Sequence, residues 1–293
     1  MWGVVPVYWP LLEPSGAVEI LAHRMVWSLV VVAVLVGVGA RRSGTPLTGR
    51  SGRFGFLHRR GVLPLLTAAA AVVTVNWGVY IWAVNNDHVV DASLGYFVNP
   101  LVSVLLGVVL LRERLRPLQW VAVGVATAGV AELAVEGGRV PWIALVLAFS
   151  FGVYGLLKKL AAAPAVEALA VETAVLFLPA LGWIIGLAAT GRSTFATLGA
   201  GHAALLASTG IVTALPLLFF GAAATRIPLS TLGVLQYLAP TLQFLAGVLV
   251  FGEHLSPGRL AGFAVIWAAL ALFTADALRS RPRNVPRAAP AGA

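Results

Sequence analysis

The feature that most constrains this chain is a succession of long apolar runs, near residues 19–39, 63–84, 91–111, 117–135, 141–157, 165–189, 202–224, 229–251 and 257–277, separated by short polar or basic connectors. A helix needs about 20 apolar residues to cross the hydrocarbon core of a bilayer. In lipid every backbone polar group must be satisfied internally, which leaves only helices or a closed barrel. The runs are continuously apolar rather than alternating, so helices are predicted. Composition agrees: 59% of residues are hydrophobic and 11% charged, against roughly 25% charged in an average soluble domain. The mean hydropathy is +0.92. A soluble fold would have too little polar surface to cover itself, and the expected class is all-α integral membrane.

Nine runs are long enough for full spans. A tenth, Trp2 to Leu12, is half length and lacks a basic leader or a small-residue cleavage site, so it reads as the tail of a span that begins upstream of Met1 rather than as a signal peptide. The basic residues set the orientation. With the N-terminus inside, Arg41, Arg42, Arg50, Arg53, Arg59, Arg60, Arg112, Arg114, Arg116, Lys158, Lys159, Arg226, Arg279, Arg281, Arg283 and Arg287 all face the cytoplasm, as the positive-inside rule requires. Arg139, Arg192 and Arg259 fall outside, and Arg24 lies within a span. The expectation is ten spans, N-in and C-in, with a basic cytoplasmic loop over 40–61. The same placement explains the net charge of +9 without nucleic acid. Residues 279–293 are Pro-rich and basic and read as a disordered cytoplasmic tail.

The chain repeats itself. At an offset of 140, Pro100 falls on Pro240, Gly107 on Gly247, Glu113 on Glu253, Leu115 on Leu255 and Pro117 on Pro257. Earlier in each half the offset is 148, aligning Glu19 with Glu167 and Arg24 with Glu172. Two halves of five spans follow, 1–137 and 138–278. An odd number of spans forces the copies into opposite orientations, and the connectors agree: "RERLR" is basic where it lies inside, and its counterpart "GEHLS" has no Arg or Lys where it lies outside. Inverted repeats of this kind suit secondary transporters, whose halves exchange conformations about a central site.

The stretches "AHRMVWS" (22–28), "NWGVYIWAVN" (76–85), "SLGYFVNPLVSVLLGVVLLRERLRPLQWVAV" (93–123) and "LGVLQYLAPTLQFLAGVLVFGEHL" (232–255) resemble the RarD branch of the EamA-type drug/metabolite transporter superfamily. The likeness covers nearly the whole chain and rests on Trp, Tyr, Asn, Arg and Pro rather than on hydrophobicity alone. It implies a ten-helix carrier of the bacterial inner membrane, built from two EamA repeats and exporting small metabolites or drugs. Members of this branch carry the label chloramphenicol-sensitive, which does not fix a substrate. The short first span departs from the family, which has a full first helix.

Ionised groups at membrane depth are costly and usually face a cavity or a partner. His23 and Arg24 in the second span and Glu172 in the seventh are therefore candidate cavity residues. Arg24 and Glu172 are expected to approach each other across the pseudo-twofold, as an ion pair or as substrate and proton sites. A structural pair or an interfacial anchor is the competing reading. Glu19 and Glu167 are expected to sit at helix N-termini, where a carboxylate meets the positive end of the dipole. Glu113, Glu132, Glu136 and Glu253 read as solvated loop charges.

On the third span Asn76 and Tyr80 share a helical face. On the fourth, Tyr96, Asn99 and Ser103 recur at helical spacing beside Pro100, which frees a backbone carbonyl. The ninth span offers Gln236, Tyr237, Pro240 and Gln243. These polar and aromatic stripes are expected to wall a passage, with Pro100 and Pro240 as paired kinks or gate elements; interfacial belts and helix-to-helix hydrogen bonds remain the alternative. "GWIIG" at 182–186 has the small-xxx-small spacing of close helix packing.

Enzymatic readings are weak. With no Cys in the chain, disulfides, thiolate zinc sites and thiol catalysis are excluded. His88, Asp91 and Ser93 are close in sequence, but Asp91 and Ser93 point to opposite sides of a helix. No metalloprotease, nucleophile-elbow or phosphate-loop motif occurs. No cofactor or metal is expected. The partners expected are the lipid bilayer and a small-molecule substrate; proton coupling and a homodimer are compatible with the sequence without being required by it. Export of small amphipathic molecules leads, facilitative or uptake exchange of a metabolite such as an amino acid follows, and a membrane enzyme or structural subunit comes last.

Overall fold

The computed structural model describes residues 3, 5–85, 89–135, 142–249 and 257–279. They form helices joined by short turns, with no strand among the described residues. A short helix α1 (Val5–Tyr8) runs into a 3-10 turn over Trp9–Leu12. The long helices are α2 (Ala17–Ser43), α3 (Val62–Asn85), α4 (Val89–Val109), α5 (Pro117–Val135), α6 (Trp142–Ala161) and α7 (Ala165–Ala189). A one-turn helix α8 (Thr194–Thr197) precedes α9 (Gly199–Ala224), then α10 (Leu229–Gln236), α11 (Leu238–Leu249) and α12 (Pro257–Arg279).

Local chemistry sets these boundaries. Helix α2 carries Glu19 in its first turn and Arg41 and Arg42 in its last, matching the dipole at both ends. It stops at Gly44, whose φ of 64° is the left-handed conformation that glycine adopts without strain. Pro240 explains the break between α10 and α11, because its missing N–H leaves the carbonyl of Gln236 without its helical donor. Pro100 does the same to Tyr96 inside α4, which stays continuous.

Among the described residues, five stretches are long and apolar enough to cross a membrane: Ala17–Ser43, Val62–Tyr80, Trp142–Ala161, Ala165–Ala189 and Gly199–Ala224. Leu94–Val109 and Leu260–Asp276 are shorter apolar helical stretches. Large apolar side chains cover the outside: Val34, Trp120, Trp183 and Ile185 are all more than half exposed or close to it, and Leu178 reaches 74%. A patchwork of this extent is foreign to a water-facing surface and natural to a lipid-facing one.

Inside, α2 packs on α7 and α9, α3 and α4 pack on α6, α10 packs on α4, and α5 packs on α12. The main core gathers Val32, Tyr154, Leu169, Leu217, Phe220 and Leu229. A second cluster holds Phe97, Ala126, Tyr237 and Ile266. At two of the tight crossings a neighbouring helix's backbone requires glycine. A Cβ on Gly210 would lie 2.4 Å from the Trp27 carbonyl carbon, and one on Gly233 would lie 2.7 Å from the Pro100 oxygen.

Three features add to the sequence reading. The basic connector over 40–61 is not a free loop, since α2 runs to Ser43, Gly55–His58 forms a 3-10 turn and Arg53 pairs with Glu167. The glycines of "GWIIG" are not used for close packing within the chain: nothing lies within 4 Å of a Cβ at Gly182 or Gly186. The one-turn helix α8 had no counterpart in the pattern of apolar runs. His88, Glu136, Arg139, Glu253 and the tail beyond Arg279 lie outside the described residues.

Candidate functional site

A cavity of about 360 Å³ lies between α2, α3, α4 and α6 on one side and α9, α10 and α11 on the other. Its polar lining comes from Arg24, Asn76, Tyr80, Tyr96, Asn99 and Gln236; Trp77, Phe151, Phe219, Phe220, Leu232, Leu235 and Leu238 supply most of the apolar remainder. This volume is in the range of small-molecule sites, roughly 300–1,000 Å³, as is the mix of apolar walls with a few placed polar groups.

The six polar side chains come from four helices: Arg24 from α2, Asn76 and Tyr80 from α3, Tyr96 and Asn99 from α4, and Gln236 from α10. Arg24 donates from Nε to Thr213 Oγ1 at 2.8 Å, and its guanidinium lies over the Trp77 ring at 4.7 Å. Those contacts join α2 to α9 and α3 and fix the plane of the cation. Asn76 donates through Nδ2 to the Leu147 carbonyl at 2.8 Å and to Ser150 Oγ at 2.9 Å, tying α3 to α6. The rings of Tyr80 and Tyr96 meet edge to face, centroids 5.9 Å apart, a favoured aromatic geometry. Asn99 donates to Gln236 Oε1, and Gln236 Nε2 reaches Ser103 Oγ at 3.4 Å. Asn99 thus meets Gln236, the counterpart of Tyr96 at the offset of 140, at the α4–α10 crossing, where Gly233 permits the approach.

Other candidates lie elsewhere. Glu172 does not pair with Arg24. Its Oε1 is 2.5 Å from Lys158 Nζ and its Oε2 accepts from Tyr154 OH at 3.0 Å, all three side chains being buried. His23 is buried against Phe195, ring centroids 4.7 Å apart, and accepts at Nδ1 from Trp27. Tyr237 turns into the second cluster with Phe97 and Ile266. Pro240 lines the cavity, whereas Pro100 is fully buried behind it at the helix crossing. The side chain of Gln243 lies outside the described residues.

The acidic residues also divide. Glu19 accepts from Ser193 Oγ, Thr194 N and Thr194 Oγ1 at 3.1, 2.8 and 2.9 Å, so it caps α8 rather than its own helix. Glu167 pairs with Arg53. Glu113 is no solvated loop charge: it accepts from Leu229 N, Ser230 N and Ser230 Oγ at 2.7, 2.9 and 2.6 Å, satisfying the first amides of α10. Glu132 is exposed, as expected.

Sequence reasoning missed the α9 wall and Thr213. The signal available was Pro216 followed by "LLFF" inside an apolar run, a mid-span proline like Pro100 and Pro240. It also missed Lys158, which reads as a basic residue at a span end and is in fact 3% exposed.

Chemically, the lining offers one guanidinium, two phenols, two carboxamides from α3 and α4 and one from α10, with an aromatic floor. The constellation can bind and orient a small molecule. Among the described residues no group of three or more His, Cys, Asp or Glu is placed to hold a metal ion.

Comparison with known proteins places this architecture. Residues 1–134 match the model of the EamA-like transporter family. The chain is 58% identical to Protein RarD of Streptomyces exfoliatus over 98% of its own length and 89% of that protein. It is 45% identical to an uncharacterized transporter of Pseudomonas aeruginosa, over 97% and 92%, and 40% identical to Protein RarD of Escherichia coli, over 97% and 93%. A solved crystal structure with 21% identity superposes with a TM-score of 0.68 over 95% of both chains, which shows a shared fold. The chain is a multi-pass membrane transporter and belongs to the RarD branch of the EamA-like transporter family.

Proposed function

We propose that this transporter exports small amphipathic molecules across the bacterial inner membrane as a secondary carrier working by alternating access. The observation that carries this reading is the cavity of about 360 Å³ bounded by α2–α4 and α6 on one side and α9–α11 on the other. A central site shared by two halves is what a rocking mechanism needs. The halves are residues 1–137 and 138–278, each with five spans, N-terminus and C-terminus inside.

The packing supports an inverted repeat. If each span corresponds to the one five places later, α2 corresponds to α7, α4 to α10–α11 and α5 to α12. Those three pairs each pack against their own counterpart, as elements near a twofold axis must. The contact of α2 with α9 then corresponds to that of α7 with α3, and both occur. The basic residues of the connectors support the orientation.

The test is a comparison of intracellular and extracellular metabolites in cells with and without the protein, followed by flux of the enriched solute in proteoliposomes. A solute that accumulates inside deletion cells and leaves loaded vesicles supports export. Accumulation outside deletion cells points to uptake or exchange, and formation of a covalently altered product overturns the transport mechanism. Dependence of the flux on an imposed pH gradient tests proton coupling.

A further inference from the structure

We propose that one end of the helix bundle is a docking surface for anionic phospholipid headgroups, formed by arginines on the connectors between helices. This end gathers the last turns of α2, α4, α6 and α9, the first turns of α3, α5, α7 and α10, and the part of α12 that carries Asp276. Its connectors are tied one to the next. Arg53 pairs with Glu167, and Arg59 donates to the Ala162 carbonyl at 3.3 Å, joining the α2–α3 connector to the α6–α7 connector. Lys159, near the end of α6, donates to the Ile227 carbonyl at 2.6 Å and lies 3.8 Å from Glu113. Glu113 in turn accepts from Leu229 N and Ser230 N at the start of α10, and Arg116 pairs with Asp276 at 3.4 Å. Glu113, Glu167 and Asp276 are thus all occupied within the protein.

Around this ring the charge is left unbalanced. Arg41, Arg42, Arg50, Arg60, Arg112 and Arg114 are exposed, and among the described residues none of them has an acidic partner. Cations gathered on one face attract anions of any kind, and their depth selects which. Val38 lies one turn before Arg41, Leu63 one turn after Arg60 and Leu110 two residues before Arg112, and all three apolar side chains are exposed. The arginines therefore follow the lipid-facing band by a turn or less, which is headgroup depth. There a guanidinium meets phosphodiester oxygens with its fork while its stem lies along the apolar band. The six are spread over the α2–α3 and α4–α5 connectors. That spacing lets a bilayer engage many of them at once, whereas a single soluble phosphate gains one contact at a time.

The experiment reconstitutes the full chain in phosphatidylcholine vesicles and measures, by electron spin resonance, the fraction of spin-labelled lipid immobilised at the protein. Spin-labelled phosphatidylglycerol is compared with spin-labelled phosphatidylcholine. A basic residue near an anionic surface is worth about a fivefold preference, and only part of the surrounding lipid meets the arginines. The expected ratio of association constants at low salt is therefore about two- to fivefold in favour of phosphatidylglycerol, falling towards one in about 1 M sodium chloride, where charges are screened within about 3 Å. Arg41→Gln with Arg42→Gln, and Arg112→Gln with Arg114→Gln, should each lower the ratio, and lysine at the same positions should keep it. Arg192→Gln, beyond the far end of α7, should leave it unchanged. A ratio of one for the unaltered chain at low salt, a measurement that depends on no variant, overturns the proposal. An equal loss with Arg192→Gln overturns it too. So does displacement of labelled phosphatidylglycerol by inorganic phosphate beyond that caused by chloride at the same ionic strength, which would make the surface a site for a soluble anion.

Discussion

Lys158 Nζ lies 2.5 Å from Glu172 Oε1, and each of the two side chains is 3% exposed. The pair joins α6 to α7, and Tyr154 donates to the second carboxylate oxygen at 3.0 Å. The charges are thus satisfied by one another and by a phenol, with Phe220 stacked beside Tyr154 at 5.7 Å. None of the three lines the cavity, so the pair reads as structural, and the position by itself makes a prediction.

Removing one partner leaves a buried charge. Glu172→Gln or Lys158→Met alone should destabilise the protein by about 3–5 kcal/mol, while the double replacement Lys158→Met with Glu172→Leu should recover most of that loss. Thermal unfolding in a fixed detergent checks both. A double variant less stable than either single one would show that the pair is worth more than its desolvation cost.

The legibility of this pair in the sequence was partial, for a physical reason. Glu172 stood out because a carboxylate inside an apolar run demands explanation. Lys158 did not, because a lysine at the end of a run is also what an interfacial anchor looks like. The same asymmetry governs the cavity. Arg24, Asn76, Tyr80, Tyr96, Asn99 and Gln236 could be picked out as polar or aromatic residues in hydrocarbon, and the structure brings them to one cavity. Phe219, Phe220, Leu235 and Leu238 could not, since a residue facing a cavity and one facing lipid have the same chemistry. Helices were readable from continuous hydrophobicity, and the α10–α11 break from Pro240. Glu113 was misread because the amides it caps come 116 and 117 residues later.

Asn99 and Gln236 hydrogen-bond across the α4–α10 crossing. Interhelical hydrogen bonds in membranes are worth about 0.6 kcal/mol on average and up to about 1.7. Asn99→Leu and Gln236→Leu should each lower stability by amounts in that range, and the double variant should lose less than their sum. Strict additivity in a double-mutant cycle would mean that the contact contributes no coupling.

Glu113 holds the two leading amides of α10 and the Ser230 hydroxyl. With Glu113→Ala those N–H groups lose their acceptor and the dipole loses its counter-charge, a loss of about 1–3 kcal/mol for charge-assisted bonds. The opening should be local. Hydrogen exchange read by mass spectrometry should accelerate in the peptide covering 226–236 and leave α6 and α7 unchanged, with Glu113→Gln intermediate. Unchanged protection at 229 and 230 would show that the carboxylate is not what secures the helix start.

Glycine has opposite meanings at Gly233 and Gly182. A Cβ on Gly233 would sit 2.7 Å from the Pro100 oxygen and 2.8 Å from Ser103 Cβ, whereas one on Gly182 meets nothing within 4 Å. Gly233→Ala must push α10 away from α4 and should destabilise by about 1–3 kcal/mol, the usual range for overpacking. Because Gln236 lies on the same helix less than one turn away, the displacement should also weaken its bond to Asn99 and lower the affinity of any ligand the cavity binds. Gly182→Ala replaces an exposed helical glycine in α7 and should be neutral or stabilising by up to about 1 kcal/mol, from the lower backbone entropy of the unfolded chain. Thermal unfolding of the two variants side by side separates steric demand from propensity: if Gly182→Ala proved as damaging as Gly233→Ala, then the face carrying Gly182, Trp183 and Gly186 would be packed against a second surface in the membrane rather than against lipid.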